Sequence, residues 1–175
     1  MAFKKIDITE FNFNPYTTFA KQWPLLTAGT EGDFNTMTIS WGHVGSIWGV
    51  GGGMPTMNVY VRPQRHTKSF MDANDAFSVS VLPGGSKKEL TYLGTASGRD
   101  GDKVKKVGLT PIFDHGTTYF EQAELVFICR KLYQSPILKS RFIDQQIVEK
   151  VYPQKDFHTM YIGEITKILV KAQSE

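Results

Sequence analysis

Alternating apolar and polar positions predict β-strands along most of the chain. In residues 35–41 three apolar side chains fall on one face, and the hydroxyls of Thr36, Thr38 and Ser40 fall on the other. The same alternation, or an enrichment in β-branched and aromatic residues, marks five further segments. These predicted strands are residues 23–30, 57–62, 76–82, 123–133 and 157–170.

Short helices are predicted between some of these strands, mainly from side chains that cap helix N-termini. The candidates are Thr67 before residues 68–74, Ser86 with Glu89 in a capping box before residues 87–95, Asp102 before a short helix that ends at Gly108, and a helix at residues 141–149. Many strands, few helices and 16 glycines favour a mainly β fold, a closed or nearly closed barrel. We expect one domain over residues 1–175, because no linker or repeat interrupts the chain.

The composition fits a folded protein that holds a flat or phosphorylated ligand. Hydrophobic residues make up 41% and charged residues 21%, which excludes a disordered chain. Aromatic residues reach 13% and could line a pocket as well as fill a core. A net charge of +3 would attract a phosphate, but it falls short of the dense basic surface of a dedicated nucleic-acid binder.

Several other chemistries are disfavoured by what the sequence lacks. Cys129 is the single cysteine, so neither an internal disulfide nor a cysteine zinc site is expected. The four histidines are scattered without metal-ligand spacing. The N-terminus does not resemble a signal peptide and no run of apolar residues is long enough to span a membrane. We therefore expect a soluble, cytoplasmic protein with no metal and no membrane or nucleic-acid partner.

Three segments carry polar groups suited to a flat heterocycle or to an anion such as phosphate. The hydroxyls of residues 35–42 could bond a flat heterocycle or its phosphate tail, although a solvated strand face explains them too. Residues 62–67 place arginines before a helix N-terminus, where a phosphate could be held. Residues 96–103 combine a Ser-Gly turn with Arg99 and Lys103, which suggests an anion cradle or merely an exposed loop.

The glycine-rich run at residues 48–55 is not a nucleotide-binding motif. It lacks the Gly-Lys-Ser/Thr of a P-loop, and Met54 stands where a dinucleotide fingerprint needs its third glycine. We interpret this run as a flexible loop between strands that could cover a pocket.

Taken in order, five segments resemble the flavin reductase family of the FMN-binding split-barrel fold, and flavoredoxin-like members most of all. They are Trp23-Pro24-Leu25-Leu26-Thr27-Ala28-Gly29, Asn35 to Gly42, Val59 to Thr67, Ser97-Gly98-Arg99-Asp100-Gly101-Asp102-Lys103, and His158 to Ile165. The resemblance implies an FMN-binding split β-barrel with a Greek-key-like strand order. The cofactor it implies is non-covalent FMN.

The resemblance also implies which residues contact FMN. Those implied around the isoalloxazine ring are Asn35, Thr36, Met37, Thr38, Ser40 and Trp41, with His158 nearby. Those implied around the phosphate are Arg62, Arg65, His66 and Thr67, and the site is completed by Ser97, Gly98 and Lys103. No residue is implied as a catalytic acid or base, because the flavin carries the redox chemistry.

Three functions stay open at this point. The resemblance implies a homodimer that uses NADH or NADPH to reduce FMN, and a flavoredoxin-like electron carrier with a protein redox partner is the first alternative. A small barrel that binds single-stranded nucleic acid is the alternative from a different class, since basic loops and aromatic residues suit such a ligand.

Overall fold

An antiparallel sheet of eight strands forms the frame of the computed structural model, which describes residues 3–172. Seven strands follow the order β3-β2-β6-β9-β10-β5-β4, and β1 also pairs with β10. A separate hairpin joins β7 to β8. The strands are β1 (Phe3–Ile6), β2 (Leu25–Thr30), β3 (Asp33–Thr38), β4 (Gly42–Ile47), β5 (Met54–Val61), β6 (Ala76–Val81), β7 (Pro111–Asp114), β8 (Thr117–Phe120), β9 (Leu125–Pro136) and β10 (Thr159–Lys171).

Short helices lie between the strands. The α-helices are α1 (Pro15–Thr17), α2 (Thr67–Ala73), α3 (Lys87–Thr95), α4 (Lys103–Lys106) and α5 (Gln145–Val151). A π-helical turn spans Thr18–Gln22, and 3₁₀ turns span Gly98–Asp100 and Lys139–Arg141. The prediction of a mainly β fold with few short helices is confirmed. The predicted domain over residues 1–175 also includes residues 1–2 and 173–175, which lie outside the described residues.

Successive side chains of the central strands point to opposite faces of the sheet. Each face is buried in its own hydrophobic core. In β9, Phe127 and Cys129 join a core with Met57, while Val126 and Ile128 join a second core with the helices. Leu93 of α3 belongs to that second core and is fully buried. Since α3 lies against the sheet through this core, the loop that follows α3 has a fixed position.

Several predicted elements differ from the structure in their ends. β3 begins at Asp33 and ends at Thr38, not at residue 41. The Ile39 N–H still bonds to the Pro24 carbonyl at 2.9 Å, but Pro24 has no N–H with which to continue the ladder. α5 lies four residues later than predicted at its start, where the Asp144 carboxylate accepts from the Gln146 N–H at 2.9 Å.

The predicted caps have mixed outcomes. Asp102 does cap α4, since its carboxylate accepts from the Lys105 N–H at 2.9 Å. α3 spans residues 87–95 as predicted, but Ser86 makes no side-chain cap bond, so the capping box is absent. Thr67 is the first residue of α2 and not its cap, and His66 occupies the N-cap position without a side-chain bond.

The glycine-rich run joins β4 to β5 as the predicted loop between strands. Gly51, Gly52 and Gly53 all have positive φ angles, of 80°, 158° and 84°, which side chains rarely adopt. β4 itself was missed, because its small and polar residues do not alternate with apolar ones. β1 and the β7–β8 hairpin were also missed, since each strand has only four residues.

Candidate functional site

Two adjoining clefts bring together almost all of the predicted site residues. The first, which we call the strand cleft, has a volume of about 260 Å³, and the second, the loop cleft, about 220 Å³. Arg65 lines both clefts. The strand cleft is lined by Met37, Thr38, Ile39, Ser40, Trp41, Tyr60, Arg62, Arg65, Gly94 and His158. The loop cleft is lined by Asn35, Gln64, Arg65, His66, Thr67, Thr95, Ala96, Ser97, Gly98, Arg99 and Lys103.

The walls of the loop cleft are joined by hydrogen bonds and a close backbone approach. Asn35 on β3 donates from Nδ2 to Oγ1 of Thr67 at 2.8 Å, which ties the strand to the start of α2. Gly98 lies so near that a Cβ atom there would be 2.3 Å from Oδ1 of Asn35. A side chain at position 98 would therefore push the two walls apart, which explains the glycine at this point.

Basic groups converge on the loop cleft, and the charge of Asp33 acts on one of them, His66, by raising its pKa against the larger effect of burial. Arg65, His66, Arg99 and Lys103 all line it. Among residues 3–172, no ion pair to a carboxylate involves any of these four side chains. The charges of Arg65, Arg99 and Lys103 repel one another, and an anion in the cleft would relieve that repulsion.

Lys103 is the most buried of these groups, with 4% of its surface exposed. Its ammonium donates to the carbonyls of Leu93 at 3.1 Å and Ala96 at 3.0 Å, and an ammonium has three donors. Burial, and then the charge of Arg65, lowers the pKa of Lys103 to about 8. The lysine thus keeps one N–H for a ligand.

His66 and Arg65 are affected by the same lack of solvent. Burial, followed by the charges of Arg99 and Lys103, lowers the pKa of His66. Its Nδ1 atom is buried and has no hydrogen-bond partner among the described residues. Burial also lowers the pKa of Arg65. An unpartnered polar atom beside repelling cations is the arrangement expected of a site that awaits an anionic ligand.

The hydroxyls of β3 do not all face the strand cleft, which corrects one prediction. Thr36 is fully buried, and its hydroxyl lies 2.8 Å from that of Thr27 and 3.2 Å from the Leu26 carbonyl. It lines neither cleft, because its hydroxyl is hydrogen-bonded to residues of β2, the strand next to β3. Thr38 does line the strand cleft, although its hydroxyl donates to the Leu90 carbonyl at 2.6 Å. Ser40 is exposed there.

Arg62 lines the strand cleft, whereas His66 and Thr67, with which it was grouped around a phosphate, line the loop cleft. Its guanidinium bonds to the Asp156 carboxylate at 2.5 Å and to the Val151 carbonyl at 3.1 Å. The charge of Arg62 is therefore already balanced, unlike that of Arg65.

His158 is a neutral wall of the strand cleft. It is 8% exposed, its Nδ1 lies 2.9 Å from the Tyr152 hydroxyl, and its ring centre lies 4.5 Å from that of Trp41. Burial, and then the charge of Arg62, lowers the pKa of His158 to about 4, while Asp156 acts in the opposite direction. The imidazole is consequently uncharged at neutral pH. It can form a hydrogen bond with a ligand, but it has no charge with which to attract an anion.

Some cleft residues were missed by sequence reasoning. Gln64 and Arg99 lie inside segments that the sequence had singled out, so a wider reading of those segments would have included them. Tyr60 alternates with apolar neighbours on β5 and carried a signal too. Asp156 carried none, because it lies in an irregular segment 94 residues after Arg62.

The described residues contain neither a metal-binding cluster nor a membrane-spanning helix. Within residues 3–172, no three or more His, Cys, Asp or Glu side chains are grouped so that they could hold a metal ion. No helix in the same range is long and apolar enough to cross a membrane.

Three solved structures share this fold. An FMN-binding domain of a flavin reductases-like enzyme from Shewanella baltica has a TM-score of 0.66 at 13% identity, over 97% of this chain and 77% of that one. A flavoredoxin from Methanosarcina acetivorans has a TM-score of 0.64 at 22% identity, over 94% and 76%. An NADH:FAD oxidoreductase from Streptomyces globisporus has a TM-score of 0.63 at 14% identity, over 86% and 76%.

Sequence comparison adds the family. No curated protein sequence matches the chain. The flavin reductase like domain matches residues 16–175, a span that contains both clefts. The chain therefore belongs to the flavin reductase-like family.

Proposed function

We propose that this protein binds FMN across the two clefts and acts as a flavin oxidoreductase that draws electrons from NADH or NADPH. The observation that carries the proposal is the cluster of basic groups without a carboxylate partner in the loop cleft. In the adjoining strand cleft, Arg62 is already neutralised by Asp156. FMN has the matching form, with a dianionic phosphate at one end and a flat uncharged ring at the other.

The loop cleft fits the phosphate. Arg65 and Arg99 supply guanidinium groups, which match phosphate oxygens in geometry. Lys103 has one free N–H, and His66 has a buried nitrogen without a partner. The close approach of Gly98 to Asn35 leaves backbone rather than a side chain at the edge of the cleft.

The strand cleft fits the ring. Ser40 and Trp41 supply backbone donors and acceptors beyond the end of β3, where no strand among residues 3–172 is paired to them. Arg62, held by Asp156, and neutral His158 complete the polar wall. Bound FMN would supply the hydride-accepting chemistry, while these side chains orient the ring and keep water from part of it.

The electron donor is the finer part of the proposal. The Streptomyces globisporus neighbour is described as an NADH:FAD oxidoreductase, which supports a nicotinamide donor for this chain as well. The Methanosarcina acetivorans neighbour is a flavoredoxin, and it supports the alternative of an electron carrier. In both cases FMN would bind in the same strand and loop clefts, and only the electron-exchange partner of the flavin would differ.

A homodimer is also part of the proposal. β4 lies at one end of the strand order, with its outer edge unpaired among the described residues. Trp48 after β4 is 53% exposed and contacts Tyr133 of β9, which is itself 46% exposed. An unpaired strand edge beside exposed aromatic rings is suited to a second copy of the chain.

The purified protein is expected to be yellow and to release FMN when it is denatured. Steady-state oxidation of NADH and NADPH, followed at the nicotinamide absorption band with FMN added, tests the reductase function. Bound FMN with negligible turnover of either nicotinamide would favour the electron carrier. A colourless protein that does not bind added FMN but binds oligonucleotides in low salt would contradict the whole proposal.

Affinity for FMN is expected to fall as the pH rises through about 8. Lys103 has its pKa lowered to about 8 in the free protein, so it is charged below this pH and neutral above it. A bound phosphate favours the charged form, and binding above about pH 8 must therefore also take up a proton. We expect roughly a tenfold loss between about pH 7 and about pH 9 from this linkage. Flavin fluorescence titration should show it for FMN, but not for riboflavin or the Lys103→Met variant.

A further inference from the structure

A third cavity, which we call the aromatic cavity, opens beside the strand cleft and has a volume of about 540 Å³. It shares Ser40, Trp41 and Tyr60 with the strand cleft. No other residue proposed to contact FMN lines the aromatic cavity. Its lining residues are Tyr16, Phe19, Ala20, Trp23, Ser40, Trp41, Gly42, His43, Tyr60 and Ile137.

The wall of this cavity is held in place by specific packing. Phe19 lies in the π-helical turn and is 2% exposed. A Cβ atom at Gly42 would be 2.2 Å from the Phe19 ring, so the glycine allows the ring to lie against β4. Trp23 adopts a positive φ of 60° and donates from its indole to the Ala20 carbonyl at 3.2 Å. These contacts keep the cavity open without a ligand.

The lining of the cavity is aromatic and carries no acidic, lysine or arginine side chain. Such a surface favours a flat ring. The Lys87 ammonium lies 3.7 Å from the centre of the Trp23 ring, but it does not line the cavity and already donates to the Lys21 carbonyl. The pyrophosphate of a dinucleotide would find no counter-charge among these residues, whereas the neighbouring loop cleft is rich in basic groups.

One polar pair stands in this aromatic wall. The Nδ1 atom of His43 lies 3.0 Å from the hydroxyl of Tyr60. Burial raises the pKa of Tyr60, so its hydroxyl stays protonated at neutral pH. When His43 donates to the Tyr60 oxygen, the Tyr60 O–H is free to donate to a ligand. Tyr60 lines both cavities, so this donor stands where the aromatic cavity meets the proposed ring site.

We infer that the aromatic cavity binds the second substrate, a flat and uncharged ring compound with a carbonyl acceptor, of the quinone class. Tyr60 would donate a hydrogen bond to its carbonyl oxygen. This inference rests on the proposed FMN site for its role in turnover. A quinone held there would be reduced to the hydroquinone by two electrons and two protons, which reduced FMN supplies as it returns to the oxidised state.

Equilibrium dialysis with 2-methyl-1,4-naphthoquinone tests the inference, in the FMN-loaded protein and again after FMN is removed. We expect saturable binding in both forms, with quenching of the fluorescence of Trp23 and Trp41. 1,4-Naphthoquinone-2-sulfonate should bind at least about fivefold more weakly, because the cavity offers its charge no partner. 2-Methylnaphthalene, which lacks the carbonyls, should show how much of the affinity comes from the ring alone.

Variants locate the binding and identify the donor. Tyr60→Phe is expected to weaken quinone binding about fivefold, the effect of one hydrogen bond, and to leave 2-methylnaphthalene unaffected. Ala20→Phe, which fills the cavity, should abolish the binding of both compounds. Tyr92→Phe is the matched control and should change neither, since Tyr92 lies outside the cavity.

The outcomes separate the two proposals. Normal FMN loading without saturable quinone binding, or with Ala20→Phe without effect, would overturn the inference and leave the FMN site standing. Quinone binding equal in Tyr60→Phe and the parent protein would overturn the role of Tyr60. Failure to bind FMN together with normal quinone binding would overturn the proposed function alone.

Discussion

Replacing Arg65 with methionine is expected to weaken FMN binding about 10- to 100-fold while riboflavin affinity changes less than about threefold. Charged hydrogen bonds contribute about 1.5–3 kcal/mol, which corresponds to this range. Arg65 lines both clefts and has no carboxylate partner among the described residues, so at their junction its charge is available to the phosphate, whereas the uncharged ring has no charge for it to pair with. Riboflavin lacks the phosphate and loses little. Flavin fluorescence titration measures both affinities.

Two other arginines serve as controls for this prediction. Arg62→Met should weaken FMN and riboflavin alike, because Arg62 lies in the strand cleft and is paired with Asp156. Arg130→Met should affect neither ligand, since Arg130 is an exposed partner of Glu164 outside both clefts. If Arg65→Met weakened both flavins equally, the phosphate would not lie in the loop cleft.

Replacing Phe127 with alanine is expected to lower the free energy of unfolding by about 3–5 kcal/mol. Phe127 is fully buried on β9 and belongs to the core that includes Met57. Its ring lies 5.2 Å from that of Phe13 and 6.3 Å from that of Phe11, so it also anchors the N-terminal segment. Truncation removes these contacts and leaves a cavity. Urea unfolding followed by tryptophan fluorescence would measure the loss.

Phe113→Ala is the matched control for this stability prediction. Phe113 is 37% exposed on the β7–β8 hairpin and contacts Phe34. We expect it to cost less than about 1.5 kcal/mol, since much of its ring is already in water. A loss at Phe127 no larger than at Phe113 would show that the buried core is far less tightly packed than the structure indicates.

The sequence predicted the outline of the fold because local patterns determine much of it. The Asp102 cap was predicted from the capping residue itself, and the helix at residues 87–95 was predicted from a capping box that the structure lacks. Short elements escaped prediction, since four residues carry little periodic signal. β4 escaped for another reason: as an edge strand of small and polar residues, it is defined by its pairing with β5.

The sequence predicted most of the residues that line the two clefts, but it did not predict how their polar groups are arranged. Thr36 belongs to the right strand, but its hydroxyl bonds to Thr27 on a strand partner that the sequence did not reveal. Arg62 was grouped with its neighbours along the chain, whereas Asp156, far away in sequence, neutralises it. In both cases pairing between distant segments decides which polar groups are left over for a ligand.

The charge repulsion among the basic side chains of the loop cleft links the supply of FMN to the cellular level of the folded protein. Folding brings the charges of Arg65, Arg99 and Lys103 together, and this repulsion lowers the stability of the folded chain. A ligand that binds the folded chain alone stabilises it by about 2.7 kcal/mol at one hundred times its dissociation constant. In a cell short of FMN, newly made chains would unfold more often and be degraded sooner. The cofactor would then set the protein's lifetime as well as its activity.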